Sequence, residues 1–370
     1  MTGPIVPPDA DGTGGSPSTD DASRHARRVR RWWIAGFAML IVAGLTAALF
    51  LVELPYYLLQ PGSVRPAEQR VEIEGAPSYE TDGEVMFTTV FLTRATPALM
   101  VRAWLDDAVE IRRADEVYPD GDREGNQRLN RQRMDLSKLV ATNVALDVVG
   151  IDAEYDAEGA RVLGLSDGSP AEGLLEPGDV IVLVDGGEVA MPDDIGVELD
   201  DRAPGDTVDV GVQRGGEGDP EEVSVVLGAA PDEPDRPVLG IVAEPADPSI
   251  RSDVEVRVDS GEVSGPSAGL AWTLAIIDRL TPGSLTGGRR VAVTGEIRDD
   301  GTVGPIGGVV QKVAAVRRAG IELFLYPAET PEDEQREMRR IAGDDVELRP
   351  VATIDDAVRV LAPDGLQQPS

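Results

Sequence analysis

The sequence predicts an α+β protein with at least two domains behind an N-terminal transmembrane helix. Residues 32–52 carry no charged side chain, and a run of about 20 apolar residues is enough to cross a bilayer. After this run, apolar residues alternate in some stretches, such as 84–92, which is typical of strands. In others, such as 128–147, they recur with helical spacing. More than 300 residues follow residue 53, which is enough for two domains.

The segment before the predicted helix is polar. Residues 1–31 begin with a stretch rich in Gly, Pro, Ser, Thr and Asp, which predicts a disordered tail, and they end in an arginine cluster. Arginines before the helix and Glu53 after it place the N-terminus in the cytoplasm and the remaining chain outside the cytoplasmic membrane. A cleaved signal peptide is the alternative, but its apolar region would be shorter and would end at a small-residue cleavage site.

The composition excludes several kinds of site. The chain has no cysteine, and its one histidine, His25, lies in the polar tail. Thiol catalysis, disulfides and a Ser-His-Asp triad are therefore excluded, and we expect no metal and no other cofactor. The formal net charge of −33 argues against nucleic acid as a partner, and we interpret the acidic surface as a source of solubility.

Ser267 is the first candidate catalytic residue. It lies in the stretch Gly-Pro-Ser-Ala-Gly at 265–269, between a strand-like alternation and an apolar run with helical spacing. Such a turn exposes a hydroxyl and directs free N–H groups of the helix at an approaching group, so the backbone of Ser267 and Ala268 could supply an oxyanion site. The alternative is an ordinary helix N-terminus with serine as its cap.

Lys312 is the candidate base. The chain has only two lysines, and the other one, Lys138, lies among polar neighbours on a predicted helix. On a helix, Lys312 shares one face with Val309, Val313 and Val316. An ammonium on an apolar face loses hydration, which lowers its pKa towards the range in which the neutral amine accepts a proton from serine. The alternative is a lysine whose charged end reaches solvent at the rim of the helix.

Several further motifs complete a pattern with these two residues. In order, they are the turn at 265–269, Thr-Gly-Glu-Ile at 294–297, Gly-Pro-Ile-Gly-Gly at 304–308, and Lys312. Together they resemble the proteolytic domain of Lon proteases, and the similarity extends over about 238–362. The resemblance implies an α+β proteolytic domain and a serine protease activity.

The resemblance also implies roles for individual residues. Lon proteases use a Ser–Lys dyad, whose positions correspond to Ser267 and Lys312, 45 residues apart. Thr294 matches a threonine whose hydroxyl helps to orient the lysine. Ser264 stands where the family commonly has an acidic residue, so the shaping of the oxyanion site differs. Lon-like domains assemble in rings, which implies a homo-oligomer here.

A second resemblance covers residues 148–228. The order of a Val-Val-Gly-Ile start, a Gly-Ser-Pro-Ala segment and a Pro-Gly-Asp-Val-Ile strand is similar to PDZ domains found beside bacterial proteases. Such domains add an extended peptide to a sheet edge and hold its carboxylate with backbone amides. The matching loop would be Val149, Gly150 and Ile151. The alternative is a blocked groove that only packs on the protease.

The other predictions concern boundaries. Residues 53–147 are interpreted as a juxtamembrane region in which the strand at 84–92 would join the C-terminal sheet, which would make the PDZ-like domain an insertion. Residues 229–237 form a linker, and 363–370 form a tail. In the Lon-like domain we expect strands near 238–243, 253–259, 291–295 and 321–326, and helices near 267–280, 308–319, 331–342 and 353–361.

Three functions fit these observations. The first is a membrane-anchored serine endopeptidase that is independent of ATP, since neither lysine lies in a Gly-x-x-x-x-Gly-Lys-Ser/Thr stretch. Its partners would be protein or peptide substrates and, through a single span, the membrane. The second is a PDZ anchor without catalytic activity. The third is a protease that processes its own chain.

Overall fold

Helices and strands cover most of the chain. The computed structural model describes residues 19–80, 82–118, 123–166, 168–231, 233–261 and 263–367, without the side chains of 19–31, 34 and 35. The α-helices are α1 (Thr19–Leu51), α2 (Pro97–Trp104), α3 (Ala114–Val117), α4 (Arg123–Val148), α5 (Pro192–Leu199), α6 (Gly269–Leu280), α7 (Val309–Arg318), α8 (Glu332–Ala342) and α9 (Ile354–Leu361). The strands are β1 (Tyr56–Pro66), β2 (Val71–Glu74), β3 (Glu84–Arg94), β4 (Glu110–Arg113), β5 (Glu154–Asp156), β6 (Ala160–Leu165), β7 (Val180–Val184), β8 (Gly187–Glu188), β9 (Thr207–Gln213), β10 (Glu221–Val226), β11 (Gly228–Ala229), β12 (Pro237–Val238), β13 (Ile241–Pro245), β14 (Ser249–Arg251), β15 (Glu255–Val258), β16 (Arg290–Val293), β17 (Glu296–Ile297), β18 (Val303–Gly304), β19 (Leu323–Pro327) and β20 (Glu347–Val351).

Helix α1 contains most of the segment that was predicted to cross a membrane. It begins at Thr19, so the predicted disordered tail, 1–31, is helical from that residue, and residues 1–18 lie outside the described part. Among the described residues, the helices include none that combines the length and the apolarity of a membrane span. The predicted span at 32–52 is therefore not supported by the described residues.

The first sheet combines strands from the part of the chain before the second sheet and from the C-terminal third. Its strand order is β20-β19-β16-β3-β1-β4. Strand β3 pairs in parallel with β16, with Val85 opposite Val291 and Phe87 opposite Val293. The strand expected at 84–92 therefore lies in the same sheet as the strands of the C-terminal third.

Strand β1 lies in the predicted juxtamembrane region, 53–147, ahead of the strand expected at 84–92. It pairs with β3 in antiparallel fashion, and its register shifts between Pro61 and Val64. This irregularity and the proline interrupt the alternation that would have identified the strand. Further along the chain, helix α2 ends at Trp104 and is followed by β4.

Helix α6 is the centre of the hydrophobic core. Nearly all of its side chains are buried, as expected for a helix that is apolar on every face. Trp272 is fully buried, and its ring lies 4.9 Å from that of Phe87 on β3, centroid to centroid. Helix α4 packs against α6. The core thus fixes the start of α6 between α4 and the first sheet.

The second sheet has the order β10-β9-β7-β6-β13, with β8 beside β7. Strand β13 was expected, at 238–243, to belong to the C-terminal domain, but it pairs with β6, with Ile241 opposite Leu165. The predicted linker, 229–237, also differs, because its two ends lie in the short antiparallel pair of β11 and β12. The second sheet therefore uses chain beyond the predicted boundary at residue 228.

The smaller unit built on the second sheet is an insertion in the larger one. The chain leaves the larger unit at the end of α4 and re-enters it at β15, which pairs with β2 through Val256 opposite Ile73. Between these points, β14 pairs with β5, with Ile250 opposite Tyr155. Two strand pairs therefore tie the returning chain to segments that precede it.

Candidate active site

Ser267 lies in a short turn of 3₁₀ helix, Pro266–Ala268, directly before α6. The helix expected over 267–280 therefore begins as an α-helix two residues later, at Gly269. Gly265 has a φ of 93°, and its N–H donates to the carbonyl oxygen of Asn130 at 3.0 Å. The Ser137 hydroxyl donates to the carbonyl oxygen of Pro266 at 3.2 Å. Helix α4 therefore holds the turn from one side.

Close packing requires glycine at residue 269, the last position of the serine motif. A Cβ atom at Gly269 would lie 2.8 Å from Ser137 Oγ and 2.9 Å from Ile297 Cγ2. A Cβ atom at Gly295 would lie 2.6 Å from Val303 Cγ1. These small residues let α6 approach α4 and the β17–β18 hairpin closely enough to place the Ser267 hydroxyl.

Lys312 reaches the serine from α7. Its Nζ lies 2.8 Å from Ser267 Oγ and 2.9 Å from Thr294 Oγ1. The lysine is only 2% exposed, whereas Ser267 is partly exposed. Helix α7 starts after Gly308, whose φ of 71° turns the chain into the helix. The structure thus brings together the three side chains that the sequence singled out.

Burial determines the electrostatics of Lys312. In the described part of the chain, no carboxylate forms an ion pair with its amine, so no negative charge offsets the hydration that the ammonium loses. Burial lowers the pKa of Lys312 from its ordinary 10.5 to about 7. At neutral pH, a substantial fraction of the molecules therefore carries an uncharged amine. The serine hydroxyl lies 2.8 Å from this amine, which is within the distance of a proton transfer.

Thr294 connects the two other residues. Its hydroxyl donates to the carbonyl oxygen of Ser267 at 3.0 Å and accepts from Lys312 Nζ. The N–H of the next residue, Gly295, donates to the same carbonyl oxygen at 3.1 Å. Thr294 lies just after β16, so the sheet fixes the position of the serine turn and the direction of the lysine amine.

The oxyanion donors remain a prediction. The Gly269 N–H donates to the carbonyl oxygen of Pro266, which leaves the backbone of Ser267 and Ala268 as the predicted donors. Ser264, at the position where the sequence departs from the Lon pattern, is exposed.

The predicted peptide-binding loop at Val149, Gly150 and Ile151 is wrong. Its three N–H groups donate to carbonyl oxygens of α4, those of Ala145 at 3.2 Å, Asp147 at 3.0 Å and Leu146 at 2.9 Å. Gly150 has a φ of 73°, the left-handed conformation that ends many helices. Because the helix end uses all three donors, this loop has none left for a carboxylate.

Sequence reasoning missed a second glycine loop, Leu239-Gly240-Ile241. It opens a groove of about 600 Å³ that lies between α5 and β13. The φ of Gly240 is 71°, and a Cβ atom there would lie 2.8 Å from both Pro170 Cδ and Ser169 Oγ. A Gly-Ile pair occurs both here and at 150–151. The pair here could have been recognised because a strand follows it, whereas the pair at 150–151 comes directly after a helix.

Comparison with known proteins assigns both units. Residues 243–363 match the model of the Lon protease (S16) C-terminal proteolytic domain, and residues 147–227 match the model of the PDZ domain. A Lon proteolytic domain and a PDZ domain are present. Their bounds lie close to the predicted 238–362 and 148–228.

Curated relatives of the Lon domain are Lon proteases. The Lon protease of Paraburkholderia phytofirmans is 39% identical over 127 residues, which cover 31% of this chain and 14% of that protein. The Lon protease of Koribacter versatilis is 32% identical over 115 residues, covering 30% of this chain and 14% of that protein. The chain thus spans a small part of the length of these relatives.

A PDZ domain is among the solved structures that this chain is similar to. The PDZ domain of the SdrC-like protein from Listeria innocua is 29% identical and covers 23% of this chain and 92% of that one, with a TM-score of 0.21.

Proposed function

We propose that this protein is a serine endopeptidase in which Lys312 is the general base and Ser267 the nucleophile. The observation that carries the proposal is the 2.8 Å contact between a buried amine and a partly exposed hydroxyl. Lys312 takes the hydroxyl proton while Ser267 Oγ forms a bond to the carbonyl carbon of the substrate peptide. The backbone N–H groups of Ser267 and Ala268 would stabilise the negative oxygen that results.

The second half of the reaction returns the proton. The Lys312 ammonium protonates the leaving amine, the C–N bond breaks, and an acyl-enzyme remains on Ser267. Lys312 then takes a proton from a water molecule, whose oxygen attacks the acyl carbon. The bond from that carbon to Ser267 Oγ breaks, Lys312 returns the proton to Oγ, and the new carboxylic acid is released. The Thr294 hydroxyl accepts a hydrogen bond from the amine throughout and keeps it directed at Ser267. The cycle balances with water as the only co-reactant.

Peptide or protein substrates follow from the presence of both domains. Because the sequence contains no Gly-x-x-x-x-Gly-Lys-Ser/Thr stretch, we propose cleavage without ATP, restricted to unfolded or extended segments. The PDZ domain would recruit these segments to its groove. Assembly into a ring of identical copies is part of the same proposal, by analogy with Lon-like domains, and mass photometry of the purified protein would test it.

The location is a separate proposal that depends on the sequence of residues 32–52. The uncharged run would anchor the enzyme in the cytoplasmic membrane with both domains outside. Carbonate extraction of membranes tests the anchor, and protease accessibility in intact cells tests the side. Release by carbonate, or protection of the PDZ domain in intact cells, would contradict it.

A fluorophosphonate probe tests the proposed activity. We expect labelling of the wild type, loss of labelling in Ser267→Ala and strong weakening in Lys312→Arg, since arginine stays charged. Ser264→Ala is the matched control, because this nearby serine is exposed and should label as the wild type does. A folded wild type that stays unlabelled at alkaline pH would favour a PDZ anchor without catalysis. Intact mass after storage, compared with Ser267→Ala, tests self-processing.

A further inference from the structure

The PDZ groove ends in donors suited to a carboxylate. Within the described residues, the backbone N–H groups of Leu239 and Gly240 make no hydrogen bond. The left-handed conformation of Gly240 is one that arranges successive N–H groups around an anion. Arg236 lines the same groove, but its guanidinium pairs with Glu233 at 3.9 Å, so the two backbone donors supply most of the complementarity. This end of the groove therefore complements a free C-terminal carboxylate.

The rest of the groove suits an extended peptide. Strand β13 is the last strand of its sheet and pairs on one side only, with β6. Its other edge faces α5, from which Ile195, Val197 and Leu199 line the groove. A peptide can therefore pair with the open edge of β13 while its side chains contact the apolar residues of α5.

The groove continues into a second cavity beside the serine. This cleft has a volume of about 430 Å³ and lies between the PDZ domain and α4. Pro192 and Asp193 line both the groove and the cleft, so the two are contiguous. The same cleft is lined by Pro245, at the end of β13, and by Pro266, the residue before Ser267.

The direction of β13 orders these features. The strand begins at the carboxylate-binding end, at Ile241, and ends at the cleft, at Pro245. Consider a peptide that pairs antiparallel to β13 with its C-terminal carboxylate at Leu239 and Gly240. The residues that precede its C-terminus then lie along β13, and the part of the peptide further towards its N-terminus reaches the cleft. Its backbone advances about 3.4 Å a residue, so about five of its residues pair with the five of β13 before it enters the cleft.

We infer that the groove and the cleft form one track, and that Ser267 cuts substrates at a set distance, more than about five residues, from a free C-terminal carboxylate. The inference rests on the proposed endopeptidase activity and adds a fixed position of the cut relative to the bound chain end. The cleft has an apolar part at Leu136, Val140 and Met191, beside several charged residues, and this part can hold apolar side chains of the substrate.

A series of peptides tests the track with the full-length protein. Each peptide repeats one cleavable apolar segment, carries a Gly-Ser tail of increasing length and is made with a free or an amidated C-terminus. We expect a C-terminal product of constant length by mass spectrometry, so that the cut moves along the sequence as the tail grows. Amidation should lower kcat/KM about tenfold, as loss of hydrogen bonds to a charged group does. A cut that stays at one sequence whatever the tail, or equal cleavage of acid and amide, would overturn the inference.

A pair of variants locates the effect in the groove. Val197→Asp places a charge on an exposed position of α5 in the groove, and we expect it to remove the preference for the acid over the amide peptide. Val226→Asp is the matched control on β10, at the opposite edge of the sheet, and should keep the preference. An unchanged preference in Val197→Asp would contradict the inference. Fluorophosphonate labelling of the wild type is a separate readout, so a labelled enzyme with products of variable length refutes the track alone.

Discussion

The serine turn of the Lon domain and the Val149-Gly150-Ile151 loop at the start of the PDZ match are both short glycine motifs, yet only the first has the predicted environment. At the serine turn, the amine of Lys312 lies within 2.9 Å of two hydroxyl groups contributed by other elements. At the other loop, every N–H donates to a carbonyl of α4. The comparison shows that a glycine loop can bind a ligand through its backbone N–H groups only where these groups do not already donate to the end of a helix.

The largest effect is expected from the two residues in direct contact. Ser267→Ala should lower peptide hydrolysis at least about 10³-fold, because no nucleophile remains, and Lys312→Arg should do nearly the same, because no base remains. The double variant should be no worse than Ser267→Ala, since the residues act as a unit. Steady-state hydrolysis of an unfolded protein substrate measures this. Additive losses in the double variant would break the comparison.

Lys312→Met is expected to stabilise the protein at neutral and acidic pH. The folded pKa of about 7 lies below the ordinary 10.5, so the folded state disfavours the ammonium fully below pH 7. Between pH 7 and 10.5 the unfolded chain binds more protons, and the stability of the wild type rises with pH. We expect the free energy of unfolding of Lys312→Met to exceed that of the wild type by a few kcal/mol at pH 6, as the size of the pKa shift implies. This difference should disappear by about pH 10.5. Urea unfolding at several pH values measures it, and a difference that does not vary with pH would contradict a buried lysine.

Thr294→Val tests whether the threonine hydroxyl directs the lysine amine at Ser267. The change removes a hydroxyl that contacts both Lys312 Nζ and the Ser267 carbonyl while keeping a similar volume. We expect kcat to fall about tenfold with little change in KM, since the lysine loses its direction and the groove is untouched. Thr302→Val on the β17–β18 hairpin is the control and should keep kcat, because this half-buried hydroxyl bonds to Asp300 and Arg298 and not to the serine or the lysine. A change in KM alone would assign Thr294 to substrate binding instead.

Gly150→Ala is expected to have the smallest effect. The substitution strains a residue with φ of 73° but meets no atom within 4 Å, so it should cost about 1 kcal/mol of stability. Peptide affinity, measured by fluorescence anisotropy with a free-carboxylate peptide, should not change. A loss of affinity without a loss of stability would restore the original prediction for this loop.

The sequence predicted side-chain chemistry better than strand pairing. Lys312 could be found because it is one of two lysines and shares a face with valines, and burial on such a face is what lowers its pKa. Strand β13 could not be assigned, since its alternation fits either sheet and only its contact with β6 decides between them. Strand β1 was hidden by Pro61 and by the register shift after it. Local pattern therefore indicated the site, while long-range pairing set the domain boundaries.

The pH dependence of the rate at which a fluorophosphonate labels Ser267 is the most direct test of the buried-amine mechanism. With the pKa of Lys312 lowered to about 7, the rate should rise with pH, pass half of its maximum near pH 7 and level off above it. Thr294→Val should keep this shape at a lower maximum. A rate that continues to rise towards pH 10, as for a lysine exposed to water, would contradict the account.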